Sequence, residues 1–141
     1  LLRMGRTDDA IAHYRRAVER WPDSALTLNA LGYTLADRTE KYAEAARLIK
    51  KALKLSPDSP AIMDSWGWVL YKQGKSDEAI EILENAYDKF HDPEIAGHIV
   101  EVLWSLDRKE EATDMLREAE LLFPENDLLK RLHEAYLPES P

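Results

Sequence analysis

An all-α fold of antiparallel helix pairs is predicted by three observations. A pattern of about 34 residues recurs along the chain, apolar residues within each recurrence keep helical spacing, and helix-start signals return at matching places. The segments LNALGYTLADRTEKYAEAARLIKKALKLSP, MDSWGWVLYKQGKSDEAIEILENAYDKFH and AGHIVEVLWSLDRKEEATDMLREAELLFP can be set over one another. Leu35, Leu70 and Leu103 then align, followed by Ala45, Ala79 and Ala112, by Ile49, Leu83 and Leu116, and by Ala52, Ala86 and Ala119.

The first element is a partial copy over residues 1–24, keeping mainly its second helix, with Leu1, Ala10, Tyr14, Ala17 and Pro22 in register. That helix is expected from about Thr7 to Arg20, after a turn at Gly5. Its face bearing Ile11, Tyr14 and Val18 is read as open and as a candidate surface for a crystal dimer. Three complete units follow at 25–59, 60–92 and 93–126. The alanines Ala10, Ala45, Ala79 and Ala112 step by 35, 34 and 33 residues. Both irregularities fall in turns, the extra residue in RTEKY and the missing one in FHDPE, where insertions are tolerated. Ser59 before Pro60, Asp92 before Pro93, Ser76 before DEA, and Asp107 three residues ahead of Glu110 read as helix starts. Gly74 reads as a helix end. The recurring alanines, with Gly32 and Gly67, let helices approach closely. A mid-helix glycine costs about 1 kcal/mol against alanine, so a close backbone contact must offset it. Val100 stands where those glycines stand and should push its pair slightly apart. The segment 127–137 carries one apolar stripe (Leu128, Leu129, Leu132, Tyr136) beside polar Lys130, Arg131 and Glu134, as a terminal capping helix does. Residues 138–141 form a tail.

Composition narrows the function. The chain of 141 residues carries a net charge of −8, 45% hydrophobic and 33% charged residues, and no cysteine. No basic stripe suits a phosphate backbone, so nucleic acid is not an expected partner. Disulfides and thiol chemistry are excluded, and no apolar run is long enough to span a bilayer. The chain starts at Leu1 with no helix-start signal before it and is read as part of a longer protein. The histidines His13, His91, His98 and His133 fall in no catalytic motif. Glu94, His98 and Glu101 share a helix face, the nearest approach to a metal site, and are read as a surface cluster. Asp64 and Ser65 have no histidine partner nearby in sequence, so no nucleophile is assigned. Neither an enzyme nor a cofactor is predicted.

A leucine followed by glycine, then alanine, an aromatic or aliphatic residue, alanine and proline on this period resembles the tetratricopeptide repeat, from Leu1 to about Asn126. Departures are His91 for proline, Ala96 for a large apolar residue and Val100 for glycine. The resemblance implies a right-handed α-solenoid whose first helices line a concave groove. The core stripe of those helices would hold Leu28, Leu31 and Leu35, then Met63, Trp66 and Leu70, then Ala96, Ile99 and Leu103. The groove stripe would present Asn29, Tyr33, Asp37, Asp64, Trp68, Tyr71, Lys72, Glu101 and Trp104 to a protein or peptide partner. By register, Trp66 belongs to the packing core and Trp68 to the groove as an exposed anchor. Chaperone-binding relatives clamp a terminal carboxylate with basic residues and asparagines. Only Asn29 matches here, and Asp64 and Glu101 would repel that carboxylate.

The segments NALGYTLADRTEKYAEAARLIKKAL, PDSPAIMDSWGWVLY and DPEIAGHIVEVLW are similar to the closing repeats of long Gram-negative bacterial tetratricopeptide proteins. Those are often outer-membrane lipoproteins facing the periplasm, and some are adaptors that activate a carboxyl-terminal processing protease and present its substrates. The resemblance thus implies a periplasmic, outer-membrane-tethered scaffold, with no membrane contact by this segment. A purely structural capping role in a longer array, and a positioning module for an enzyme whose catalytic domain lies outside this chain, are the alternatives.

Overall fold

The computed structural model describes residues 2–138, with side chains from residue 5 onward; Leu1 and residues 139–141 of the tail lie outside the described residues. Among the described residues eight helices follow one another: α1 (Leu2–Arg20), α2 (Ala25–Arg38), α3 (Tyr42–Leu55), α4 (Pro60–Lys72), α5 (Ser76–Lys89), α6 (Pro93–Ser105), α7 (Lys109–Leu122) and α8 (Asp127–Tyr136). None is long and apolar enough to cross a membrane.

Helices α2 and α3, α4 and α5, and α6 and α7 pack as antiparallel pairs, and α1 packs on α2. The first helices also touch in succession, α2 on α4, α4 on α6 and α6 on α8, whereas the backbones of α3, α5 and α7 do not come close to one another. The array therefore closes along one face and splays along the other, forming an α-solenoid. The repeated alanines explain the close pairs. Ala45, Ala52, Ala79, Ala86, Ala112 and Ala119 are all fully buried, where a larger side chain would overpack the interface.

The glycines bring backbones together. A Cβ at Gly32 would stand 2.6 Å from Ile49 Cγ1, and one at Gly67 would stand 2.7 Å from Leu83 Cγ. Val100 holds the corresponding place in the third pair, where α6 and α7 make a sparser contact than the two pairs before them. Gly97 instead admits α8, since a Cβ there would lie 2.5 Å from Leu128 Cδ2. Helix α8 seals that end with Leu129 and Leu132 buried and Lys130, Arg131 and Glu134 in solvent.

Several helix ends match the sequence reading and others correct it. Ser59 Oγ accepts the Ile62 amide at 3.3 Å, Asp92 Oδ1 accepts the Glu94 amide at 2.7 Å, and Gly74 turns the chain with φ of 84°. Ser76 is the first residue of α5 and caps nothing; the cap position is Lys75, with no side-chain bond. Asp107 does not form a capping box, because it sits in the left-handed region at φ of 60° and Arg108 occupies the cap of α7. Gly5 lies inside α1 rather than in a turn. The α1 face read as open is also partly covered: Ile11, Tyr14 and Val18 pack against the core formed by α2, α3 and α4. That contact exists because α2 lies directly along α1.

Gly67→Ala should lower the chemical-denaturation stability by about 1–2 kcal/mol, the overpacking against Leu83 exceeding the gain in helix propensity. An unchanged or raised midpoint would show that α4 and α5 can separate without cost.

Candidate functional site on the concave face

The first helices abut, so side chains on their concave side meet across successive units. Burial here is the reverse of what register alone suggests for the two tryptophans. Trp68 is only 4% exposed, while Trp66 is half-buried and packs at the margin of both core clusters. The reason is the direct packing of α2, α4 and α6, which roofs the concave position of α4 from both sides. Trp68 stacks on His98 (ring centroids 4.2 Å apart, 25° between planes) and lies 5.0 Å from the Tyr71 ring. Its Nε1–H donates to Asp37 Oδ1 at 3.2 Å, and Lys72 Nζ sits 5.2 Å from its ring centre. Trp68 is thus a structural keystone and not an exposed anchor.

Asp64 has no histidine nearby in sequence; the fold supplies His98 from the next unit, 34 positions on. Asp64 is 8% exposed and His98 5%. His98 Nδ1–H donates to Asp64 Oδ1 at 2.8 Å, and Nε2 lies 3.2 Å from the Tyr33 hydroxyl. In the neutral ring Tyr33 donates to Nε2; on protonation Nε2–H donates and the hydroxyl accepts. Burial opposes the imidazolium, but the hydrogen bond and charge of Asp64, aided by Glu101 and Glu94, outweigh it and raise the His98 pKa above 6.5. Burial, then the carboxylates of Asp37 and Asp64, push the Tyr33 phenol up. Burial likewise raises Glu101, against the pull of His98 and Lys72. Both ring nitrogens of His98 are committed to protein groups. No set of three histidine or acidic side chains among the described residues is arranged to hold a metal. Ser65, beside Asp64, donates its hydroxyl to the Ala61 carbonyl at 3.2 Å.

The remaining predicted groove residues divide by exposure. Asn29, Tyr33, Tyr71, Lys72 and Glu101 are half-buried and Asp37 is exposed. Trp104 is half-buried too, but its ring is stacked under Tyr136 of α8 at 4.3 Å, so the capping helix covers it. Two adjoining recesses run along this face. One of about 320 Å³ is lined by Asn29, Tyr33, Asp64, Glu94 and His98, among others. One of about 540 Å³ is lined by Tyr33, Asp37, Trp68, His98, Glu101 and Arg131, among others. The Asn29 side-chain oxygen is buried and has no hydrogen-bond partner. Arg38 and Arg131 also border the larger recess, a place that the sequence signals for neither. Arg131 lies on the polar side of α8, and no repeat register relates it to the groove.

Such an array defines a repeat protein built to present a concave surface. The tetratricopeptide repeat family model matches residues 1–60 and 65–127, and the chain belongs to that family. Over 87 residues, 62% of the chain, it is 54% identical to the TPR repeat-containing protein PA4667 of Pseudomonas aeruginosa. The match spans 15% of that relative's length. Among solved structures it is similar to the thermophilic TPR protein TTC0263 of Thermus thermophilus. There the TM-score is 0.81 and the identity 22%, over 97% of this chain and 76% of that one. It also resembles an O-GlcNAc transferase of Thermobaculum terrenum. There the TM-score is 0.62 and the identity 25%, over 70% of this chain but 20% of that one.

Trp68→Ala should destabilise the fold by about 3–5 kcal/mol and Trp66→Ala by roughly half as much, following their burial. Equal losses, or a larger one at Trp66, would contradict the concave packing. A pH series tests the histidine. Because the folded pKa of His98 is raised, its contribution is fully present below pH 6.5 and is lost as pH rises through the folded value. Denaturation midpoints should therefore fall across that alkaline limb in the wild type, with a shallower fall in His98→Gln. Parallel slopes in the two proteins would remove the linkage.

Proposed function

We propose that this chain is a non-enzymatic scaffold that binds a segment of a partner protein along the concave face, within the units 25–59, 60–92 and 93–126. The carrying observation is the buried Asn29 carboxamide oxygen without a hydrogen-bond partner, in a recess continuous with the rest of the groove. A buried acceptor left unpaired is costly, so turning the Asn29 carboxamide out toward a backbone N–H of an incoming chain would be favoured. Tyr33, Tyr71, Lys72, Asp37 and Glu101 supply the mixed aromatic and charged surface around it. Such surfaces favour peptide partners over small metabolites. Trp68 and Asp64 hold this surface in shape from beneath, and Trp104 contributes only by supporting α8.

The finer reading concerns the partner. Resemblance to periplasmic, outer-membrane-tethered tetratricopeptide proteins supports an adaptor that activates a carboxyl-terminal processing protease or presents its substrates. The 54% identity to the Pseudomonas aeruginosa relative is in keeping with a bacterial setting.

Asn29→Ala should weaken capture of a purified bacterial carboxyl-terminal processing protease about fivefold, as loss of one well-placed hydrogen bond does, while the melting temperature stays within about 2 °C. Surface plasmon resonance reads the first and calorimetry the second. Capture that is absent in the wild type overturns the protease as partner. Capture of undiminished affinity in Asn29→Ala overturns the concave face as its site.

A further inference from the structure

The convex side carries a second feature that the groove does not use. Because the backbones of α5 and α7 stand apart, a cleft of about 550 Å³ opens between them, floored by Ile99 and Leu103 of α6. Its walls present Glu84 and Asp88 from α5, and Glu111, Asp114 and Glu118 from α7. Among the described residues only Glu111 of these has an ion-pair partner: the Arg108 guanidinium grips it at 2.7 and 2.8 Å at the rim. No lysine or arginine among the described residues forms an ion pair with Glu84, Asp88, Asp114 or Glu118.

A second observation is independent of the acids. Tyr87, which lines the same cleft, is 8% exposed, and its buried hydroxyl has no hydrogen-bond partner. The ring is held by stacking on His91, with centroids 4.5 Å apart and planes 11° from parallel. Burial and the Glu118 carboxylate across the cleft push the phenol up. Burial also holds Glu84 above the usual carboxylate range; Arg108 pulls it down while Glu111, Asp88 and Glu81 push it further up. The site therefore concentrates negative charge around a hydroxyl that lacks a donor, over an apolar floor.

We propose that this convex cleft is a second docking site, taking an arginine- or lysine-bearing segment of a partner protein. The carboxylates are spread along two walls and do not converge, and no three of them, with or without histidine, are placed to hold a metal ion. A spread organic cation fits that spacing. Its aliphatic stem would lie on Ile99, Leu103 and Met115, its N–H groups would donate to the carboxylates, and a small turn of the Tyr87 ring would bring the unpaired phenol oxygen to one of them. Arg108 on Glu111 is the same contact made once within the chain. From Glu111 to Glu118 the α7 wall runs about 10 Å, which an extended segment covers in about three residues. Basic residues at alternate positions would then both face the cleft.

The test uses the whole chain and a fluorescein-labelled peptide alternating arginine and alanine, with binding read by fluorescence anisotropy at low and physiological salt. Glu84→Gln/Glu118→Gln should weaken binding about tenfold. Glu40→Gln/Asp58→Asn, which makes the same charge change in distant turns, should alter it less than twofold. Tyr87→Phe should weaken binding about threefold without lowering the unfolding midpoint, and a glutamate–alanine peptide should not bind. Equal weakening in the distant pair would show attraction by net charge alone. An unaffected Glu84→Gln/Glu118→Gln variant, or equal weakening by Asn29→Ala on the concave face, would equally overturn the proposal.

Discussion

His98 touches the two units before its own through three kinds of contact. It bonds to the Asp64 carboxylate, meets the Tyr33 hydroxyl and stacks on the Trp68 indole. Repeat arrays ordinarily rest on nearest-neighbour packing, unit by unit. Here a buried polar bridge runs from the third first-helix through the second to the first, and Trp68 passes it on to Asp37. The contact depends on the first helices abutting, so it also records the curvature of the array. Breaking it would leave a carboxylate in a dry setting without its partner, a larger penalty than the bond's net worth.

The same packing gives the two faces different chemistry. Where the first helices close up, the concave surface becomes a continuous strip of aromatic and charged groups held from below. Where the second helices splay, carboxylates spaced along α5 and α7 face each other over an apolar floor. The concave strip holds one buried, unpaired polar atom, the Asn29 oxygen, and the convex cleft another, the Tyr87 hydroxyl. On the two proposals made above, one chain would lie in the groove while a basic segment of another lies along the back.

The fold was legible in the sequence because each of its determinants recurs. The buried alanines, the close-packing glycines Gly32 and Gly67 and the capping stripe of α8 are local or periodic. The concave network was not legible in this way. Register places Asp64 on the groove and spacing puts His98 in a surface cluster with Glu94 and Glu101, but the side-by-side approach of α4 and α6 buries His98 against Asp64. Trp68 was misjudged for the same reason: helical register says which way a side chain points, but not whether a neighbouring helix stands there. Asp107 shows the limit for turns, where a left-handed backbone pre-empts the capping bond that its spacing suggests.

A double-mutant cycle on Asp64→Asn and His98→Gln measures the central contact directly. The bridge predicts a coupling energy of about 1.5–3 kcal/mol in denaturant unfolding, the range for hydrogen bonds to charged groups. Losses that add to within about 0.5 kcal/mol would contradict it, and would mean that the concave face is held by packing alone.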